Sequence, residues 1–252
     1  MSVIPVSVQL YSVRDVAVDD LKGVISKVAE IGYSGVEFAG LHGNDPREIR
    51  KALDESGLEC SGTHTAIDAF SDERLLETVD THHILGTGYA IVPWIPEHMR
   101  DTVEATLETA KKLTELTHKL AEHGLKTGFH AHAGDMIPLP SGQTPWGILA
   151  ANTPDSFVMQ YDTANGLSGG ADPVQPILDF PGRSVLVHLK EFKTGGHALI
   201  GEGEVPWQRV FEACESVGGT KWYVVEHEDD PRMTSLEAIA GDFKALVAFG
   251  KA

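Results

Sequence analysis

Ionisable residues follow directly after short apolar runs at several places in this chain. Near the C-terminal end, Trp222–Val225 has the aromatic and β-branched residues typical of a buried strand, and it continues at once into the acidic stretch EHEDD. The same change recurs in VLVHLKE, FVMQYDTAN and TGFHAHAGD. Carboxylate and imidazole groups that converge can bind divalent cations or transfer protons. For any one stretch alone, a strand running into a solvated acidic loop is the alternative.

Strand and helix patterns alternate along the whole chain. Eight short strands are predicted, at Pro5–Tyr11, Gly35–Phe38, Leu58–His64, Tyr89–Ile95, Lys126–His132, Phe157–Asp162, Ser184–Glu191 and Trp222–Glu226. A turn is predicted at Ser12–Val18, and helices at Leu21–Ile31, after Pro46, and at Leu75–Leu85, Thr102–His123, Pro145–Ala151, Asp172–Phe180, Pro206–Val217 and Leu236–Phe249. Eight such units close into a barrel of about 250 residues. An open doubly wound sheet is the competing fold, but no GxGxxG follows the first strand. We therefore predict a single (β/α)8 TIM barrel over residues 1–252, as one domain.

Composition limits the classes of partner. The 252 residues carry a net charge of −17 from 37 acidic and 20 basic residues, which opposes binding to nucleic acid. The two cysteines form no CxxC motif, which indicates reduced thiols, and no signal peptide or membrane-spanning run is present. We expect a cytoplasmic protein that does not bind a membrane.

The carboxyl ends of the strands are where a barrel of this kind places its reactive groups. Candidates at these positions are Gln9, Tyr11, Glu37, His64, Trp94, His130, His132, Asp162, Asn165, His188, Lys190, Glu191, Glu226, His227 and Glu228. Such a set suits Mn²⁺, Zn²⁺, Co²⁺ or Mg²⁺, which would make a C–H bond beside a carbonyl more acidic. Taken singly, His188 reads as a core histidine and Asp162 as a turn cap. Four other histidines are predicted to lie on outer helices at the surface, namely His82, His83, His118 and His123.

Seven stretches in register resemble one known family. They are QLYSVRD, GYSGVEFAG, GFHAHAGDM, YDTANGLSGGADP, VHLKE, GEGEVPW and YVVEHED. The chain resembles the xylose-isomerase-like TIM barrels, which include sugar phosphate isomerases/epimerases, inosose-processing enzymes and ketose 3-epimerases. The resemblance covers nearly the whole chain and implies the barrel fold more firmly than any one substrate.

The resemblance also implies a divalent metal held by four residues from strands five to eight. Asp162, His188 and Glu226 match three of these ligands, whereas His130 stands where the epimerases carry a glutamate. The epimerases use two opposed glutamates as bases, and only Glu226 of that pair is present. His130 could replace the missing base, and Lys190 could reach a substrate oxygen. Substrate contacts are expected from Gln9, Tyr11, Glu37, His64, His132, Asn165 and Trp94.

The predicted function is a metal-dependent sugar, sugar phosphate or keto-sugar isomerase or epimerase that transfers a proton next to a carbonyl. A lyase or dehydratase acting on a keto-sugar or inosose is the alternative suggested by His130 and His132. A non-catalytic sugar-binding barrel is a third possibility. No Lys/Arg cluster for a phosphate is evident, so an unphosphorylated sugar or cyclitol fits the sequence better. A homo-oligomer is possible.

Overall fold

Eight parallel strands form the centre of the fold. The structure is a computed structural model that describes residues 3–252. The strands are β1 (Val6–Gln9), β2 (Gly35–Phe38), β3 (Glu59–His64), β4 (Tyr89–Val92), β5 (Lys126–His130), β6 (Val158–Gln160), β7 (Leu186–Leu189) and β8 (Trp222–Val225). Their hydrogen-bonded order is β6-β5-β4-β3-β2-β1-β8-β7. This is the predicted (β/α)8 TIM barrel, and the prediction is confirmed.

The seam between β6 and β7 closes the barrel with less pairing than the other strand pairs have. Asp162 and His188 form a parallel bridge just beyond the end of β6, and the His188 amide donates to the Tyr161 carbonyl at 2.8 Å. Both bridge residues are predicted site residues, so the seam lies at the proposed metal site.

Helices connect the strands and cover the outside of the barrel. They are α1 (Arg14–Ile31), α2 (Pro46–Ser56), α3 (Leu75–Leu85), α4 (Val103–Ala121), α5 (Ala133–Met136), α6 (Pro145–Ala151), α7 (Thr163–Ser168), α8 (Gln175–Leu178), α9 (Trp207–Ala213) and α10 (Ser235–Ala248). Local sequence explains several boundaries: Asp45 caps α2 with Pro46 in the first turn, and Gly57 ends it in the left-handed conformation at φ 69°. Among the described residues, no helix is long and apolar enough to cross a membrane.

Several predicted boundaries were wrong. The predicted turn at Ser12–Val18 is helical. A short 3₁₀ turn at Leu10–Val13 leads directly into α1. Helix α1 is kinked at Asp20 (φ −145°). β5 ends at His130 and β4 at Val92, so His132 and Trp94 lie in the following loops. Most strands are shorter than predicted, whereas β2 has the predicted bounds.

The prediction that His82 lies at the surface was also wrong. Its side chain is buried between α3 and β3, with Nε2 2.6 Å from Thr63 Oγ1 and Nδ1 2.7 Å from the Thr78 carbonyl oxygen. A histidine with both ring nitrogens paired is tolerated in such a place. The sequence pattern of α3 did not reveal which of its faces turns inward.

A small apolar layer inside the barrel supports the site. It consists of Ile91, Val158, Leu186, Trp222 and Val224, which form a cluster separate from the main core. Side chains two residues apart on a strand point to the same face. The next inward positions above this layer are therefore the polar ones, Gln160 on β6, His188 on β7 and, just past the end of β8, Glu226.

Candidate active site

The polar layer above the apolar one is organised around the buried carboxylate of Glu37. Gln9 Nε2 donates to Glu37 Oε2 at 2.7 Å, and His188 Nε2 donates to the same oxygen at 2.7 Å. Gln160 Nε2 donates to the other oxygen, Oε1, at 2.6 Å. His64 Nε2 lies 3.3 Å from Oε2. Glu37 thus joins strands from opposite sides of the barrel, and its side chain has no exposed surface.

The groups around Glu37 favour its ionised form. Burial alone would raise its pKa, but the nearby His64 and His188, together with hydrogen bonds from His188 and Gln160, outweigh burial and lower the pKa. Glu37 is a carboxylate whose acceptor positions are already used. Gln9 and Glu37, which were predicted to bind substrate, are both fully buried.

His188 links two carboxylates. Its Nε2 contacts Glu37, and its Nδ1 lies 2.8 Å from Glu226 Oε2 and 4.0 Å from Asp162 Oδ2. Burial acts to lower the pKa of His188, but Glu37 and Glu226 outweigh it and raise the pKa to about 10. Without a metal, His188 is therefore held as a cation between Glu37 and Glu226. A metal at Nδ1 would take the place of that proton.

Glu226 is the carboxylate that borders the open part of the site. Lys190 Nζ donates to Glu226 Oε1 at 3.2 Å and to Glu228 Oε1 at 2.5 Å. Burial opposes ionisation of Glu226, but Lys190 and His188 outweigh it and hold its pKa well below the usual range. The pKa of Lys190 is raised because Glu226 and Asp162 outweigh its own burial. As predicted, Glu228 lies on the same side as Glu226 and farther out.

His227 faces away from Glu226, also as predicted. Its Nδ1 lies 2.8 Å from Asp242 Oδ2 on α10. The other Asp242 oxygen accepts the backbone N–H of Ile200 at 2.7 Å. This pair fixes the end of β8 and the loop after β7 to the same helix.

The Asp162 carboxylate lies next to this network, and its two oxygens differ in their partners. Asp162 Oδ1 accepts the Asn165 backbone N–H at 2.6 Å and caps α7. Asp162 Oδ2 is buried with no hydrogen-bond partner among the residues that the structure describes. Burial raises the pKa of Asp162 to about 6. A buried carboxylate oxygen without a donor indicates a place that a cation fills.

The four predicted metal ligands, Asp162 among them, lie close together. One ligand atom from each of His130, Asp162, His188 and Glu226 lies within 4.8 Å of the others, and all four residues are buried. A second possible grouping joins His64, His130 and His188. The donor set and the unpartnered Asp162 oxygen fit a divalent cation, so the residues present are compatible with the metal that the sequence resemblance implied.

A cavity of about 250 Å³ opens beside Glu226. It is lined by Ala164, Asn165, Ser168, Lys190, Glu191, Phe192, Lys193, Gly196, His197, Ala198, Glu226, His227 and Glu228. Of the predicted substrate-binding residues, Asn165 lines this cavity. His132 is not among the lining residues; its ring packs against His130, with the ring centroids 5.0 Å apart.

Two other predicted substrate-binding residues lie outside this cavity. Tyr11 is 47% exposed and packs against the Arg14 guanidinium, and Trp94 is 56% exposed in the loop after β4. Both residues follow a strand end closely in the sequence. Once a strand has ended, however, its alternation no longer determines the direction of the side chains.

Glu191 organises the loop that forms the outer wall of the cavity. Its Oε1 accepts the backbone N–H groups of Phe192 and Val205, both at 3.0 Å. Its Oε2 accepts the Gly201 N–H and the Trp207 indole N–H, both at 2.7 Å. The sequence placed Glu191 at a strand end without indicating this role. Residues 193–204 are polar and rich in glycine, which indicates a loop without a hydrophobic core of its own. This composition does not reveal that Glu191 holds the loop.

Comparison with known proteins agrees with this geometry. Residues 25–247 match the family described as "Xylose isomerase-like TIM barrel". The chain belongs to this family. One relative, an inosose dehydratase from Geobacillus kaustophilus (strain HTA426), is 27% identical over an alignment of 249 residues that covers 82% of this chain and 80% of that protein.

Solved structures show the same barrel. A sugar phosphate isomerase/epimerase from Parabacteroides distasonis ATCC 8503 superposes with a TM-score of 0.84 at 19% identity, covering 98% of this chain and 95% of the other. An L-ribulose 3-epimerase superposes with a TM-score of 0.73 at 13% identity, covering 98% and 94%. At these identities the structures establish the fold alone. The relatives of this xylose isomerase-like barrel thus bear the names of both lyases and isomerases.

Proposed function

We propose that this protein dehydrates a small keto-sugar or keto-cyclitol in a metal-dependent reaction. The observation that carries the proposal is the pairing of Glu226 with Lys190 at the cavity, 3.2 Å apart. This pair would present a base and an acid to one face of a bound substrate. The position on β5 that would hold an opposing carboxylate is occupied by His130.

The cation would be held by Asp162, His188, Glu226 and His130. When bound there, it would polarise the substrate carbonyl and make the adjacent C–H bond more acidic. Glu37 holds His188 from the other side, as carboxylates commonly do for metal-binding histidines. These assignments retain the predicted ligand set.

The protein groups then carry the protons. The Glu226 carboxylate takes the proton from the carbon next to the carbonyl, and the C–H electron pair forms the new C=C bond. The C–O bond of the hydroxyl on the next carbon breaks. The Lys190 ammonium gives a proton to that hydroxyl group, which leaves as water. The proton on Glu226 can return to Lys190 across their hydrogen bond, so both groups regain their starting states.

The inosose dehydratase relative supports the class of substrate. A keto-cyclitol has several hydroxyl groups, and the cavity offers it polar partners such as Asn165 and Ser168. Lys190 is already paired with Glu226 and Glu228, which leaves it poorly placed to bind a phosphate. An unphosphorylated substrate therefore fits better.

An isomerase or epimerase is the second candidate, and one observation favours it. Burial, followed by the neighbouring His188 and His64, lowers the pKa of His130 well below its ordinary value, so the imidazole is neutral. A neutral imidazole could take the carbon-bound proton on the face opposite Glu226, and Glu226 could pass a proton from Lys190 to the carbon on its own face. That role requires His130 to be free of the metal.

Incubation with inososes and keto-sugars in D₂O distinguishes these reactions. We expect an unsaturated product from the metal-loaded enzyme, and a loss of at least about a hundredfold in kcat for Lys190→Met, since general acid–base groups contribute that much or more. Lys193→Met is the matched control at the same cavity. A deuterated isomer without elimination would favour the epimerase, and binding without turnover would favour a sugar-binding barrel.

A further inference from the structure

The amide of Gln160 fixes the chemical state of two histidines in the site. Gln160 Nε2 donates to Glu37 Oε1 at 2.6 Å, and the reverse orientation would place two oxygens at that distance. The amide oxygen of Gln160 therefore faces the other way. There it meets His64 Nε2 at 2.8 Å and His130 Nδ1 at 3.1 Å. Because the amide oxygen only accepts hydrogen bonds, both of these nitrogens must carry hydrogens.

This orientation decides which nitrogen of each histidine remains for a metal. His130 carries its proton on Nδ1, which leaves the Nε2 lone pair free to bind. His188 donates from Nε2 to Glu37, which leaves Nδ1. Glu37 thus orients His188 directly and His130 through Gln160. His64 has both Gln160 and Glu37 as acceptors at Nε2, so it belongs to the same supporting network.

The carboxylate oxygens complete the donor set. Asp162 Oδ2 is buried without a partner among the described residues, and Glu226 lies 2.8 Å from His188 Nδ1. This favours the grouping with Asp162 and Glu226 over the three-histidine one, because the latter would leave the Asp162 oxygen unpaired. The donor set has two nitrogens and two oxygens.

We infer that this site selects a nitrogen-preferring cation, Zn²⁺ or Co²⁺, over Mn²⁺ and Mg²⁺, and that Gln160 is a positioning residue for this choice. Imidazole ligands suit zinc and its neighbours, whereas carboxylates suit magnesium and manganese. With two imidazoles the site also has one negative charge fewer than a site with three carboxylates. The inference rests on the metal site of the proposed function, but it concerns affinity and needs no turnover.

Calorimetric titration of the metal-free protein with Zn²⁺ and Mn²⁺ tests the inference, at a pH above the ordinary imidazole pKa. We expect the wild type to bind Zn²⁺ at least about a hundredfold more tightly than Mn²⁺, from the order of metal affinities at nitrogen ligands. His130→Glu should reduce that ratio at least about tenfold by restoring an oxygen donor. His132→Glu is the matched control: it adds the same charge nearby without replacing a ligand, and it should leave the ratio close to the wild-type value.

Gln160→Met tests the positioning role. Loss of the amide that orients His130 should weaken Zn²⁺ binding by about 10–100-fold, the usual effect of removing a ligand's hydrogen-bond partner. The absorption spectrum of bound Co²⁺ should change in Gln160→Met and His130→Glu, since both alter the ligand field, and stay unchanged in His132→Glu. Circular dichroism of each variant shows whether it is folded.

Three results would overturn the inference. They are equal binding of Zn²⁺ and Mn²⁺ by the wild type, no binding of either ion, and the same shift in His132→Glu as in His130→Glu. A failure of dehydration with a Zn²⁺-selective site would instead contradict the proposed reaction and leave the inference standing.

Discussion

The two sides of the barrel mouth contain similar residue types in opposite states. On the side of β1 to β3, the carboxylate of Glu37 is bonded by Gln9, Gln160 and His188 and has no exposed surface. On the side of β6 to β8, Asp162 keeps an oxygen without a partner among residues 3–252, and Glu226 borders the cavity. A carboxylate whose acceptor positions are filled orients its neighbours, whereas one with a free position can bind a cation or take a proton.

The weak pairing of the seam explains where the open side lies. β1 pairs with both β2 and β8 along the ladder, whereas in the described part of the chain β6 and β7 are joined by one isolated bridge, between Asp162 and His188. Side chains from the two ends of the ladder therefore meet at this place. The closure of the barrel therefore places the proposed reactive groups on the side of β6 to β8 and leaves Glu37 on the side of β1 to β3.

The largest effect is expected on the open side, at Asp162. Asp162→Ala should abolish tight metal binding, with a loss of at least about a hundredfold in affinity, since removing a ligand exceeds the 10–100-fold effect of removing a ligand's partner. It should also cost about 1 kcal/mol of unfolding free energy, because the cap of α7 is lost. Calorimetry and denaturant unfolding measure the two effects.

Asp162→Asn separates these two roles. Its side-chain oxygen still caps α7, so stability should be retained while metal affinity falls. Tight metal binding by Asp162→Asn would show that Asp162 is only a cap, and the contrast between the two sides of the mouth would then be wrong.

An intermediate effect is expected on the closed side, from Glu37→Gln. The amide nitrogen that replaces one oxygen would face donors and leave buried groups unpaired, at a cost of about 1–3 kcal/mol. Metal affinity should fall by about 10–100-fold because His188 loses the carboxylate that orients it. Glu228→Gln, which removes an exposed carboxylate bonded to Lys190, is the control and should leave metal affinity close to the wild-type value. Unchanged metal affinity in Glu37→Gln would contradict a positioning role.

The smallest effect is expected at the outer wall, from Glu191→Gln. Its carboxylate holds four N–H groups of the loop and of Trp207, and an amide would repel two of them. We expect KM to rise about tenfold, which corresponds to a loss of about 1.4 kcal/mol of substrate-binding free energy. Metal affinity should stay unchanged. A shift of Trp207 fluorescence should accompany the change.

Glu202→Gln is the control within the same loop, where the carboxylate accepts the backbone N–H of Leu199. A fall in kcat at constant KM in Glu191→Gln would show that the loop acts on the chemical step and not on binding.

Much of the fold was predictable because its signals are local. Apolar runs at the strands, capping residues such as Asp45, and ionisable residues directly after strand ends depend on neighbours in sequence. The eight strands and the convergence of Asp162, His188 and Glu226 followed from these signals and the barrel geometry. The ligand roles of these residues stay predictions until metal binding is measured.

Tertiary structure alone decided how the polar groups are paired. Glu37 and His188 are 151 positions apart in sequence, and their contact exists only because the barrel closes. The buried state of His82, the orientation of Gln160 and the loop contacts of Glu191 have the same origin. Residue type and spacing determine which groups reach the mouth of the barrel. Which of them are saturated and which stay free depends on partners that the chain supplies from distant strands.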